Sequence, residues 1–170
     1  MAREAGYPLV NVVRRDAQVE PLKSLGAEHV LNASEEGFSE QLREKCARLS
    51  ATTAFEAVAG DMTGTVINEL PPSSTVYVYG ALSEEACSNI DPVEMIFHDK
   101  TITGFYLSSW IARRGLWRTL LAARRVQQMM VAGRIETKIQ RRLTFDDAKQ
   151  GFQNYVDHMT EGKVLLKPHG

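Results

Sequence analysis

Arg14 and Arg15 follow the apolar run Pro8 to Val13 and precede a helix-like segment. Guanidinium groups at a strand end can grip a phosphate through charge-assisted, partly bidentate hydrogen bonds. In a dinucleotide-binding unit the end of the second strand meets the adenosine ribose, where an acid suits a free 2′-hydroxyl and an arginine a 2′-phosphate. The pair therefore points to NADP(H). Solvated surface charge is the competing reading, and the sequence leaves it open. The glycine-rich turn that seats a pyrophosphate is expected about 20 residues upstream, which falls before Met1. The expectation is a nucleotide-binding fold that starts late.

Other chemistries find little support. His29, His98, His158 and His169 lack metal-ligand spacing, so zinc is not expected. Cys46 and Cys87 form neither a disulfide framework nor a thiolate site. No serine, histidine and acid set stands out for nucleophilic catalysis. With 170 residues, 44% hydrophobic and 24% charged, the chain suits a globular protein with one sizeable core. A net charge of -1 gives no bulk attraction to nucleic acid or anionic membrane, and no apolar run reaches the length of a membrane span. Nothing in the first residues argues for export, so the default location is cytoplasmic. Charge is uneven, however: Lys100 to Arg142 carries ten Lys and Arg against a single acid, Glu136.

The elements that must position Arg14 and Arg15 alternate between strand and helix. Ala2 to Gly6 reads as the last turn of a helix, and Pro8 to Val13 as a buried parallel strand. Asp16 can cap a helix over Ala17 to Leu25, its start pushed later by Pro21 and its end set by Gly26. His29 to Leu31 is a short strand; Phe38, Leu42, Cys46 and Leu49 share one helical face. Thr53 to Val58 reads as a strand, Met62 to Leu70 as a helix capped by Asp61 and stopped by Pro71-Pro72, and Thr75 to Tyr79 as the clearest strand. A loop with Pro92 and Met95 to His98 leads to a strand over Thr101 to Leu107. A long helix follows, with Leu116, Leu120, Ala123 and Met130 on one stripe. Thr144 to Asp147 resembles a capping box before a helix with Ala148, Phe152, Tyr155, Val156 and Met159 on one face, and Gly162 to Pro168 is a last strand. Such alternation predicts an α/β fold with a parallel sheet.

Several pieces in this order resemble the nucleotide-binding half of the medium-chain dehydrogenase/reductase superfamily. They are Val12-Val13-Arg14-Arg15, Leu22 to Leu31, Tyr79-Gly80-Ala81-Leu82, Ile96 to Lys100, Gly104 to Trp110, and Gly162-Lys163-Val164-Leu165. The resemblance is to the zinc-independent quinone oxidoreductase and mitochondrial-type 2-enoyl thioester reductase branches. It implies a Rossmann-like, doubly wound parallel sheet truncated at its N-terminus, with residues 1–143 as a partial NADP(H)-binding domain. Residues 144–170 would return to a catalytic domain, and the enoyl reductase branch adds a mitochondrial location as the alternative.

By that resemblance, Arg14 and Arg15 meet the 2′-phosphate and Val58-Ala59-Gly60 pass beneath the cofactor. Gly80-Ala81-Leu82 then lie beside the nicotinamide ribose, and Phe105-Tyr106-Leu107 offer backbone groups to the carboxamide. The family usually has aspartate at the position of Glu56, and no role follows from the exchange. The missing first strand would leave two half-sheets unjoined, because the doubly wound order places it between the second and the fourth. The implied function is the nucleotide-binding part of an NADPH-dependent oxidoreductase of quinones, α,β-unsaturated carbonyls or enoyl thioesters, inactive alone. A non-catalytic alternative is a dimerisation module, a homodimer joined through Thr101 to Leu107. The basic segment 113–142 offers another, phosphate or RNA binding, against which stands a solvated helix face.

Overall fold

A computed structural model describes residues 2, 5–157 and 162–167. The chain divides into two compact units, Met1–Leu116 and Trp117–Gly170. In the first, β-branched runs form parallel strands. Strand β1 (Val10–Val13) pairs with β2 (His29–Asn32), in a register that sets Val10 opposite His29 and Val13 opposite Asn32. Between them lie a 3-10 turn (Asp16–Gln18) and helix α1 (Val19–Ser24). Pro21 sits in the first turn of α1, where its missing N–H is harmless, and Gly26 leaves the helix at φ 84°.

A second sheet has the order β3-β4-β5: β3 (Thr53–Glu56), β4 (Thr75–Val78) and β5 (Thr101–Gly104), all parallel. Helices α2 (Phe38–Leu49) and α3 (Asp61–Glu69) supply the crossovers. Their inward faces meet both sheets in one core of Leu31, Phe38, Leu42, Cys46, Val66, Ile67, Leu70 and Val76, with Val10, Ala54, Val78 and Ile102 packed against it. Ile67 and Val76 are completely buried, and each such side chain contributes about 1.5–3 kcal/mol through apolar burial. Among the described residues no strand joins β1 to β3. The sheet is therefore interrupted where the doubly wound order would place its first strand, which leaves an edge bearing Val12 and another bearing Phe55 exposed.

Several details differ from the sequence expectations for physical reasons. The expected loop around Pro92 contains helix α4 (Pro92–Phe97), capped by the Asp91 carboxylate accepting from the Val93 amide. Asp61 does not cap α3; Gly60 occupies that position, and the Asp61 carboxylate instead accepts from the Ser88 hydroxyl and the Asn89 side-chain Nδ2. Asp16 likewise accepts from the Asn32 side chain rather than capping a helix. Strand β5 ends at Gly104, so Leu107 belongs to the next helix, α5 (Leu107–Val131), which Gly115 breaks at φ 76° and ψ 163°.

The second unit contains strand β6 (Ile139–Leu143) paired in parallel with β7 (Lys163–Leu166), and helix α6 (Ala148–Asp157). Strand β6 escapes sequence reading because Gln140, Arg141 and Arg142 interrupt its apolar pattern. Leu143 is buried, against Gly151 of α6. The capping box forms in part: the Asp147 amide donates to the Thr144 hydroxyl, which donates in turn to the Asp147 carboxylate. The stripe of α5 does not form a core, since Leu116, Leu120 and Met130 are all exposed. On α6, Phe152 and Val156 are exposed too, and Met159 lies outside the described residues.

Candidate cofactor site

The strand ends position every candidate residue. In a parallel sheet the carboxyl ends of the strands share one side, the usual place for a ligand. Residues 57–60 leave β3, Gly80 follows β4 and Phe105 follows β5 on that side of one sheet, while Arg14 and Arg15 leave the carboxyl end of β1 in the separate pair β1-β2.

Arg14 and Arg15 are exposed. The Arg14 amide donates to the Gln18 side chain, which shapes the turn, while among the described residues no hydrogen bond or ion pair engages either guanidinium. Both forks are thus available to an anion.

The turn after β3 is the opposite. Glu56 is buried, and its carboxylate accepts from the amides of Val58 and Ala59 and from the Thr63 hydroxyl on α3. Ala59 adopts φ 65° and Gly60 φ 57°, conformations unfavourable for an alanine and routine for a glycine. Ala59 and Gly60 are buried, while Val58 is half-buried.

This turn is bonded directly to the segment after β4. The amides of Leu82, Ser83 and Ser88 donate to the carbonyls of Ala57, Val58 and Gly60. Gly80 passes so close that a Cβ there would lie 2.8 Å from the Ala57 carbonyl oxygen. At Gly60 a Cβ would come within 3.1 Å of both the Glu85 carboxylate and the Ser83 hydroxyl. The structure therefore brings residues 58–60 and 80–82 together. Ala81 and Leu82 are exposed and Gly80 is half-buried.

Phe105, Tyr106 and Leu107 form an exposed ledge beyond β5. The Phe105 amide is already engaged with the Val78 carbonyl, and the Tyr106 carbonyl accepts from the Trp110 amide. Among the described residues the amides of Tyr106 and Leu107 make no such bond.

Behind the site, Lys100 ties two helices together. Its buried ammonium donates to the carbonyls of Ile67 and Asn68 at the end of α3 and pairs with Glu94 of α4. The hydrogen bonds from Lys100 and then His98 hold the Glu94 carboxyl below its ordinary range. Burial pushes the Cys46 thiol up, which keeps it neutral, whereas Cys87 is exposed. Sequence reading missed the work of Glu56 and Lys100.

Among the described residues no cluster of three or more His, Cys, Asp or Glu could hold a metal, and no helix is long and apolar enough to cross a membrane. In the second unit the cations Arg118, Arg124, Arg125, Arg141 and Arg142 are exposed. In the first, Arg114 stacks 5.7 Å from the Trp110 ring.

Residues 1–124 match the family model described as zinc-binding dehydrogenase. The mitochondrial enoyl-[acyl-carrier-protein] reductase of Caenorhabditis elegans is 26% identical over 163 residues, covering 92% of this chain and 46% of that protein. A solved structure described as an NADPH:quinone reductase from Mesorhizobium loti is 31% identical, with a TM-score of 0.85 over 98% of this chain and 48% of its own. A mutant of Etr1p solved with NADP and crotonyl-CoA shares the fold, with a TM-score of 0.72 at 21% identity over 93% of this chain and 46% of its own. The chain thus spans about half the length of these relatives. With the family model covering most of its length, the chain belongs to the zinc-binding dehydrogenase family of the medium-chain dehydrogenase/reductase superfamily, in its quinone oxidoreductase and enoyl reductase branch.

Proposed function

We propose that these 170 residues are the NADP(H)-binding part of an oxidoreductase that reduces quinones, α,β-unsaturated carbonyls or enoyl thioesters. The observation that carries this reading is the pair of exposed guanidinium groups of Arg14 and Arg15 at the carboxyl end of β1, which bond to none of the described residues. Their donors fit a 2′-phosphate, which an acid at this position would repel. Val58, the Gly80 to Leu82 segment and the ledge Phe105 to Leu107 would line the rest of the cofactor.

When bound, NADPH supplies the hydride. The chain's own residues bind and orient it, and none of those gathered here is placed to polarise a carbonyl substrate. The turn after β3 offers no free amide at Val58 or Ala59, since Glu56 takes both. Pyrophosphate seating by a helix N-terminus therefore finds no equivalent at this turn. Residues 1–170 alone are expected to bind the cofactor weakly and to lack turnover, with residues 144–170 serving as the return toward a catalytic domain.

The test is a fluorescence titration of the chain with NADPH and NADH, read at Trp110 and Trp117, alongside an enone reduction assay. NADPH is expected to bind about tenfold more tightly than NADH, the effect of one added charged hydrogen bond, with no reduction of the enone. Equal affinities would remove the 2′-phosphate reading, and measurable enone reduction would remove the claim of incompetence.

A further inference from the structure

We propose that Glu56 is the positioning residue of the cofactor site, fixing the turn after β3 and, through it, the segment after β4. The functional consequence rests on the NADP(H) reading; the geometry stands apart from it. A carboxylate removed from water must have its acceptor capacity filled. Among the described residues no cation pairs with Glu56, and its oxygens are filled by the Val58 amide, the Ala59 amide at 3.0 and 3.1 Å, and the Thr63 hydroxyl at 2.8 Å. Two of these donors precede α3 and one lies in its first turn, where the helix dipole favours negative charge. The carboxylate thus supplies what a bound anion would supply at a helix N-terminus.

Two consecutive residues with positive φ, Ala59 and Gly60, are held by those bonds. The carbonyls of the same turn are spoken for as well: Ala57 accepts from Leu82, Val58 from Ser83 and Gly60 from Ser88. Thr63 extends the chain of contacts to the Cys87 thiol at 3.4 Å. Amides bind inward to Glu56 while carbonyls bind outward to residues 82–88, so the turn cannot rearrange without shifting the second segment. The length of the glutamate serves this arrangement. Its extra methylene relative to aspartate lets one carboxyl group reach past Ala57 to both Ala59 and Thr63.

The test uses the full chain, labelled with 15N, as wild type, Glu56→Gln, Glu56→Asp and Thr63→Val. Glu56→Gln turns an acceptor into a donor facing other donors, so the amide resonances of Val58 and Ala59 should move, and with them those of Leu82, Ser83 and Ser88. Glu56→Asp should restore the Val58 resonance and leave Ala59 displaced. Should Glu56→Gln fail to fold, Thr63→Val carries the same question, with displacement expected at Ala59 and at residues 82–88. In titrations, Glu56→Gln should weaken NADPH and NADH by the same factor, about tenfold, leaving their ratio unchanged. A change in that ratio would mean that Glu56 acts on the 2′-phosphate end of the cofactor rather than through the turn, and would overturn the proposal. So would resonances at residues 82–88 that stay fixed while Val58 and Ala59 move. Absence of NADPH binding by the wild type would refute the cofactor reading alone, because the resonances still decide whether Glu56 positions both segments.

Discussion

The exits of β1 and β3 begin alike and end in opposite states. Each leaves a short parallel strand and enters a helical crossover. After β1 the two guanidinium groups are exposed and bond no described residue, while the backbone of the turn is tied through Gln18 to the Arg14 amide and the Arg15 carbonyl. After β3 the charged group is internal, and the turn around it is bonded on both its donor and its acceptor sides. The first arrangement keeps binding energy in reserve for something outside the protein. The second spends its hydrogen bonds on holding shape, and residues there contribute surface and position rather than charge.

That contrast can be broken most forcefully at the turn after β3. A Cβ at Gly64 in α3 would overlap the backbone carbonyl oxygens of Ser88 and Asn89. Gly64→Ala should therefore destabilise the protein by about 3 kcal/mol, an overpacking effect at the upper end of the usual range, measured by urea denaturation. An unchanged midpoint would show that residues 82–89 are free to move away, and that the segment is not locked to the turn.

A smaller effect probes the support behind the site. Because the folded-state value of Glu94 lies below its ordinary 4.5, its ion pairs contribute stability at pH above that value. The contribution is lost as pH falls through the lower folded-state value. Urea midpoints of the wild type should drop more steeply than those of Glu94→Gln on acidification below about pH 4.5. Parallel pH profiles would show that the contact between Lys100 and Glu94 adds nothing to the anchoring of α4 on α3.

Much of the molecule was legible in its sequence. The β-branched runs gave β1 to β5, because burial between helices demands continuous apolar strands. The spacing of Phe38, Leu42 and Cys46 gave α2 and its buried face. Arg14 and Arg15 stood out because they close an apolar run at a strand end. Helix α4 was readable in principle from Asp91-Pro92, an N-cap followed by proline in the first turn, but six residues are too few to show a helical period. Other features lay beyond sequence reading. Lys100 acts on carbonyls 32 and 33 residues away, and Glu56 gains its function from the reach of a side chain back over its own turn. Neither distance has a signature in composition or spacing. The exposed apolar stripe of α5 misled for a related reason: periodicity shows that a face is apolar, and what covers it depends on the surrounding chain.

The most direct measurement is the NADPH to NADH affinity ratio of an Arg14→Ala, Arg15→Ala double variant against the wild type. The account predicts that NADPH affinity falls about tenfold or more, to the level of NADH, while NADH binding is unaltered. A ratio that survives the loss of both arginines would contradict it, and would place recognition of the 2′-phosphate elsewhere in the fold.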